Sequence, residues 1–220
     1  MSASLFIPSA EAAFIADLSD RQMHRVVDER LLPDSVFQQR GSTRLFTRLG
    51  AGFASFYFAT EDLLMARTRR QVLDELSARI EHLPMKDALL TLMQLDAISW
   101  KVERNFVEVD VLPFLEQALQ RVKQVEQADA LVVTDPEILG GTPVFAGTRV
   151  PSEVVLGSLA ADIGLDRLQD SYPFLTEAHI ESAQVFALVH PRRGRPRRLA
   201  DLSPALEPRI MRVVRHAAGA

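Results

Sequence analysis

The stretch Asp135-Pro136-Glu137-Ile138-Leu139-Gly140-Gly141-Thr142-Pro143-Val144-Phe145-Ala146-Gly147-Thr148-Arg149 decides how this chain is read. Ile138 and Leu139 lead into two adjacent glycines. Glycine reaches positive φ without a Cβ clash, so Gly140-Gly141 predicts a tight two-residue turn. Pro143 to Ala146 is then the return arm of a short β-hairpin. Gly147 to Pro151 turns into a helix, with Ser152 as its N-cap and Glu153 in its first turn, where a carboxylate meets the helix dipole favourably. Three short helices follow as far as Val189. Gly164 closes the first, Leu165 to Asp170 forms the second, Tyr172-Pro173 breaks it, and Thr176 with Glu177 opens the third. Upstream, Ala130 to Val133 reads as a strand feeding Asp135. A domain boundary is expected near Gln127–Asp129.

Asp135-Pro136 through Arg149-Val150-Pro151, followed by Tyr172-Pro173-Phe174-Leu175-Thr176, resembles a small domain found in VapB-like antitoxins of type II toxin–antitoxin pairs. The resemblance covers roughly a quarter of the chain and rests on glycine, proline and threonine at fixed offsets. It implies a hairpin joined to a trihelical, helix-turn-helix-like unit. It also implies dimerisation and a PIN-type (VapC-like) ribonuclease toxin as partner.

The chain has 220 residues, 47% of them apolar, which suits one or two domains with a proper core. No apolar run is long enough for a transmembrane helix. Leu5 to Ile15 is interrupted by Pro8 and Glu11 and lacks a basic start, so it makes a poor signal peptide. The absence of cysteine fits the cytoplasm and removes thiolate metal sites and cysteine nucleophiles. Net charge is −4, which argues against general coating of nucleic acid. Its distribution says more. Residues 1–80 balance ten arginines with ten acids, residues 81–189 carry seven basic and seventeen acidic groups, and residues 190–220 hold eight arginines against Asp201 and Glu207.

At the N-terminus, Phe6-Ile7-Pro8 reads as a strand end and Ser9 caps a helix. Leu18-Ser19-Asp20 stops that helix and caps a second one, Arg21 to Leu31, whose apolar Met23, Val26, Val27 and Leu31 fall near helical spacing. A polar loop around Arg40-Gly41 and a short strand at Arg44-Leu45-Phe46 follow. Val26 to Pro33, then Arg44 to Phe46, resembles the start of a MerR-like winged helix-turn-helix domain. That resemblance implies DNA contact. Ser19, Arg21, Gln22 and Arg25 occupy the end of a recognition helix that faces the major groove, where Arg pairs with guanine and Gln with adenine. Arg40, Arg44 and Arg48 on the wing reach phosphates or the minor groove. The bland alternative is a solvated amphipathic helix with ordinary surface arginines.

Gly50 to Phe58 alternates toward a strand. Phe53, Phe56 and Phe58 belong in the core, since no basic residues interleave them as on a base-stacking platform. Glu61 to Ile80 reads as a helix, His82-Leu83-Pro84 breaks it, and a short helix runs from Lys86 to Met93. Ile98 to Val102 and Phe106 to Val111 form a hairpin, and Leu112 to Val125 a helix.

No constellation for an enzyme emerges. The five histidines lack i, i+3 or i+4 partners, so no metal site is expected. Gly140-Gly141-Thr142 lacks the lysine of a phosphate loop, and there is no Gly-x-Ser-x-Gly elbow. Asp135 is expected to bond its own turn. No cofactor is implied.

The last helix runs directly into His190-Pro191-Arg192-Arg193-Gly194-Arg195-Pro196-Arg197-Arg198, where two prolines bar a continuous helix. Beyond it, Leu199, Leu202, Leu206, Ile210, Met211 and Val214 form a weak amphipathic pattern suited to ordering on a partner. The arginines are open to three readings: a solvated end, contact with DNA phosphates, or, as the antitoxin resemblance implies, a plug for a toxin's metal-binding carboxylates. In the third, Arg192, Arg193, Arg195, Arg197 and Arg198 make two-point, charge-assisted bonds to those carboxylates.

The resulting expectation is an α+β, mainly α protein. Residues 1–80 form a MerR-like winged helix-turn-helix, 81–128 a connecting hairpin and helix, 129–189 the antitoxin-like hairpin and trihelical domain, and 190–220 a basic toxin-binding tail. The expected function is a homodimeric antitoxin and transcription repressor of its own operon, cytoplasmic, with a PIN-type toxin and operator DNA as partners. The alternative is a stand-alone MerR-like regulator whose central region senses a ligand or partner.

Overall fold

A computed structural model of the chain describes residues 4–191 apart from Asn105. The five arginines assigned to toxin binding, Arg192, Arg193, Arg195, Arg197 and Arg198, lie outside the described residues. The described part is α+β and mainly helical, with three small antiparallel sheets.

Strand β1 (Ile7–Pro8) passes directly into helix α1 (Ser9–Ala16). Pro8, not Ser9, is the cap residue, and the Ser9 hydroxyl is buried without a partner. Asp17, at φ 58°, turns the chain, and helix α2 (Asp20–Asp28) starts on Ser19. Here the capping expectation holds: Ser19 Oγ accepts from Gln22 N while Gln22 Oε1 accepts from Ser19 N. Met23, Val26 and Val27 are buried on one face of α2, which ends sooner than expected because Arg30 turns at φ 47°. Strands β2 (Phe37–Arg40) and β3 (Thr43–Phe46) form a hairpin through Gly41, at φ 61°. With β1 they make a sheet of order β1-β3-β2.

Gly50 to Phe58 is not a strand. It lies within helix α3 (Arg48–Ala59), almost wholly buried. A helix apolar on every side shows no clear period, so its sequence resembles a strand as readily as a helix. Its two glycines mark close approach. A Cβ on Gly50 would stand 2.4 Å from the Val36 carbonyl oxygen, and one on Gly52 would stand 2.6 Å from Leu115 Cδ2. Phe53, Phe56 and Phe58 are core residues, as expected. Helix α4 (Ala66–Glu81) starts five residues later than read, because a turn built on Thr60 intervenes.

A short helix α5 (Lys86–Leu90) precedes the expected hairpin, whose arms are β4 (Lys101–Arg104) and β5 (Val107–Asp110). Trp100 at its base is 2% exposed, donates to the Leu95 carbonyl at 2.7 Å and meets Phe53 edge-on.

Helix α6 (Leu112–Leu131) runs for 20 residues and passes straight through the expected boundary at Gln127–Asp129. The buried positions Leu115, Ala118, Val122, Val125 and Ala128 keep helical spacing across it. The polar letters there are simply the solvent face. Only Val132–Val133 (β6) is strand, and it pairs with Val144–Phe145 (β7) in the register Val132↔Phe145 and Val133↔Val144.

The expected hairpin therefore exists with a different first arm. Ile138 and Leu139 belong to a wider turn in which Leu139, Gly140 and Gly141 all have positive φ. Asp135 Oδ1 accepts from Glu137 N at 2.9 Å, the turn-bonding role expected of it. Three helices follow, α7 (Ser152–Ala160), α8 (Leu165–Ser171) and α9 (Glu177–Val189). Ser152 is the first helical residue and Pro151 the cap, so the Ser152 N–H is free to donate to the Pro143 carbonyl. Buried side chains gather in two clusters. The larger joins α1 to α6, and the smaller centres on Phe145, Val155, Leu168 and Leu175. Helices α6 and α9 feed both: Val125 and Val189 face the first, Ala128 and Phe186 the second.

Candidate nucleic-acid interface

The exposed face of α2 with its cap and the β2–β3 hairpin carry all the residues assigned to DNA except Arg48, and the fold treats them unequally. The cap on α2 engages Ser19 and Gln22 with each other. The Gln22 carboxamide oxygen receives both the Ser19 N–H, at 3.0 Å, and the Ser19 hydroxyl, at 2.7 Å. Half of a bidentate adenine contact is thus already used. Arg25 reaches Glu29 one turn on through Nε at 2.7 Å and lies over the Phe58 ring. That hydrogen bond raises the Arg25 pKa and lowers that of Glu29. Arg44 crosses from the hairpin to Asp28 of α2 at 2.7 Å and fixes hairpin against helix.

Arg48 does not lie on the wing. It is the first residue of α3, 8% exposed, and its Nη1 is 2.9 Å from Glu126 Oε1 of α6. A guanidinium that is buried and paired there cannot reach a phosphate. Arg21 and Arg40 are the remaining two: both exposed, with no ion pair among the described residues. His24, exposed on the same face of α2, was not singled out from sequence because a lone histidine carries no signal. The face sets Arg21, Arg25, Arg40 and Arg44 against Asp20, Asp28 and Glu29, so its own field is only weakly positive.

Glu11 of α1 lies behind this face, 9% exposed. Burial pushes its carboxyl above the ordinary value near 4.5, and the neighbouring Arg48 charge only partly opposes the shift. A carboxyl with a raised folded pKa binds its proton more tightly when folded. Stability therefore falls as pH rises from the ordinary carboxylate range through the folded pKa, and stays lowered above it. Glu11→Gln is expected to raise the melting temperature at neutral pH and to lose that advantage below about pH 4. Melting curves of both proteins against pH check this.

The chain leaves the described region on the same side. Val189 is 2% exposed in the larger cluster. His190 bonds Asp129 of α6 at 2.8 Å and packs its ring 4.3 Å from that of Phe186. His190 and Pro191 then line a cleft of about 570 Å³ with Ser9, Asp20, His24 and Arg44. Among the described residues no group of His, Asp and Glu is placed to hold a metal ion. No helix among them is long and apolar enough to cross a membrane.

Residues 132–187 match a family described as a protein of unknown function, DUF433. The uncharacterized protein y4eO of Sinorhizobium fredii (strain NBRC 101917 / NGR234) is 32% identical over 199 residues, covering 89% of this chain and 86% of that protein. The crystal structure of Rv2018 from Mycobacterium tuberculosis is 20% identical and covers 81% of this chain and 98% of that one, at a TM-score of 0.33. A likeness that distant carries no structural argument.

Proposed function

We propose that this chain, which belongs to the family of the Sinorhizobium fredii protein y4eO, is an antitoxin that silences a PIN-type (VapC-like) ribonuclease and represses its own operon. The observation that carries the reading is a juxtaposition in the chain. The glycine- and proline-marked unit at 132–187 runs, through one helix, straight into a segment with five arginines in seven residues. Guanidinium groups suit a pocket of metal-binding carboxylates, because the planar fork offers two parallel bonds to each and replaces the metal's charge. Arg192, Arg193, Arg195, Arg197 and Arg198 are the plug. The order β1, α1, three-residue turn, α2 and hairpin supports a MerR-like winged helix-turn-helix at 1–80, in which Arg21 and Arg40, of the arginines assigned to DNA, are exposed and without an ion pair among the described residues. A homodimer places two such heads on spaced half-sites.

The test is co-expression and co-purification with the product of the neighbouring reading frame, followed by inhibition of its ribonuclease activity. Replacing Arg192, Arg193 and Arg195 by Ala removes charge-assisted bonds totalling about 3 kcal/mol or more, so inhibition is expected to weaken on the order of 100-fold. Unchanged inhibition rejects the plug.

One feature favours a second reading, a stand-alone regulator with a sensing site. A groove of about 660 Å³ between α1, α6 and α9 is lined by Gln117, Gln120, Gln124 and Gln127 beside Arg121, a set of amides fit for a polar ligand. A neighbouring gene encoding no PIN-type protein favours this reading over the antitoxin.

A further inference from the structure

Five of the chain's eleven glutamines line the groove between α1, α6 and α9. Gln117, Gln120, Gln124 and Gln127 recur at spacings of three, four and three, so they form one stripe along α6, and Gln184 adds a fifth carboxamide from α9. None of the five carboxamides has a hydrogen-bond partner among the described residues. A row of glutamines on a helix is ordinarily just a solvated face. Here the row borders a concavity with two hydroxyls at its base, Ser55 of α3 and Ser182 of α9. Ser182 is 3% exposed, and its hydroxyl too is without a partner among the described residues. A buried hydroxyl left unpaired forfeits the bond it made in water, so this oxygen is a site for a ligand's hydrogen bond.

The charges narrow the ligand. Arg121 is the one cation lining the groove among the described residues, and it is occupied. Its Nη2 lies 2.8 Å from Asp17 Oδ2, its Nη1 donates to the Phe14 carbonyl at 3.1 Å, and its guanidinium covers the Phe14 ring. Those contacts pin the end of α1 to α6. Glu181 stays exposed on α9 with no ion pair among the described residues. A phosphate or carboxylate ligand would meet Glu181 and Asp17 with no free cation in return. A wholly apolar ligand would strand the amides and hydroxyls. The groove suits a neutral molecule whose groups both donate and accept, as carboxamides and hydroxyls do, and which has an apolar face for Val185 and for Leu188, itself 61% exposed. A pyranose ring has that combination, with hydroxyls at its rim and C–H groups on its faces. We infer that the groove binds a neutral saccharide through Gln120, Gln124, Ser182 and Glu181. The inference rests on the second reading above, in which this groove is a sensing site, and names the class of its ligand. The cavity of about 660 Å³ lies within the ordinary range for small-molecule sites, about 300–1,000 Å³.

The test follows the carboxamide and backbone signals of the ¹⁵N-labelled full chain by NMR. D-glucose, D-galactose, maltose and sucrose are each added to about 20 mM, which covers dissociation constants near 1 mM. At least one sugar is expected to shift the Gln120 and Gln124 carboxamides saturably, with the Ser182 amide moving alongside. The variant Q120A/Q124A is expected to bind that sugar on the order of 10-fold more weakly with no fall in melting temperature, because both positions are exposed and alanine favours helix. Equal affinity in the variant overturns the inference. Glucose 6-phosphate is expected to bind no more tightly than glucose, and tighter binding overturns the neutral class. Adenosine and L-glutamine are titrated separately. Groove shifts with either of these and with none of the sugars overturn the saccharide and leave a sensing site standing. Silence of the groove carboxamides with every ligand overturns both.

Discussion

Phe145→Ala is expected to destabilise the protein by about 4 kcal/mol, the middle of the range for emptying a buried phenylalanine site. Phe145 is fully buried and sits edge-on to both Phe174 and His179, each at 5.7 Å between ring centres. Its backbone is tied independently: the N–H donates to Val150, the carbonyl accepts from Thr148, and the strand pairs with Val132. The chain cannot collapse onto the vacated space without breaking those bonds, so the cavity persists. Among the described residues the smaller cluster has eight buried members, and one ring is a large part of it. Denaturant unfolding measures the loss. Amide exchange should show α7 to α9 losing protection well before α3 and α4. A drop below about 1 kcal/mol would mean the site repacks and the cluster is looser than its geometry indicates.

Gly50→Ala is the second large effect, and its sign is informative. In an ordinary helix, Ala in place of Gly gains about 1 kcal/mol of propensity. Here the added methyl would stand 2.4 Å from the Val36 carbonyl oxygen, which is backbone and cannot rotate aside. That oxygen also accepts from Thr47 N at 2.9 Å and from the Thr47 hydroxyl at 3.2 Å, the two bonds that turn the hairpin into α3. Moving it loosens both. Overpacking of this kind costs about 1–3 kcal/mol, and the weakened bonds add to it, so a net loss of about 2 kcal/mol is expected. A thermal melt above that of the unaltered protein refutes the close approach.

Legibility in the sequence varied with the kind of information each element needs. Helix α2 was readable because its signals are local: Ser19 caps it, and Met23, Val26 and Val27 repeat at helical spacing. Helix α3 was not, because its partners lie elsewhere in the chain. Gly52 sits in a stretch that alternates like a strand, and its contact with Leu115 appears only once α6 is placed against it. The 135–149 stretch revealed a hairpin but misplaced its first arm, since Gly140-Gly141 suggests a tight turn while Leu139 extends the positive-φ run. At the candidate interface the same division holds. Arg25's tie to Glu29 follows from i, i+4 spacing and was visible in principle. Arg44 bonds Asp28 sixteen residues away, and Arg48 bonds Glu126 seventy-eight residues away, so only the fold distinguishes them from free cations.

Helix α6 has no joint at 127–129, where Gln127 and Asp129 suggested one, and α9 lies along it through both cores. The two clusters rest on one shared pair of helices. A side chain lost from the seam between α6 and α9 is therefore expected to weaken both clusters at once.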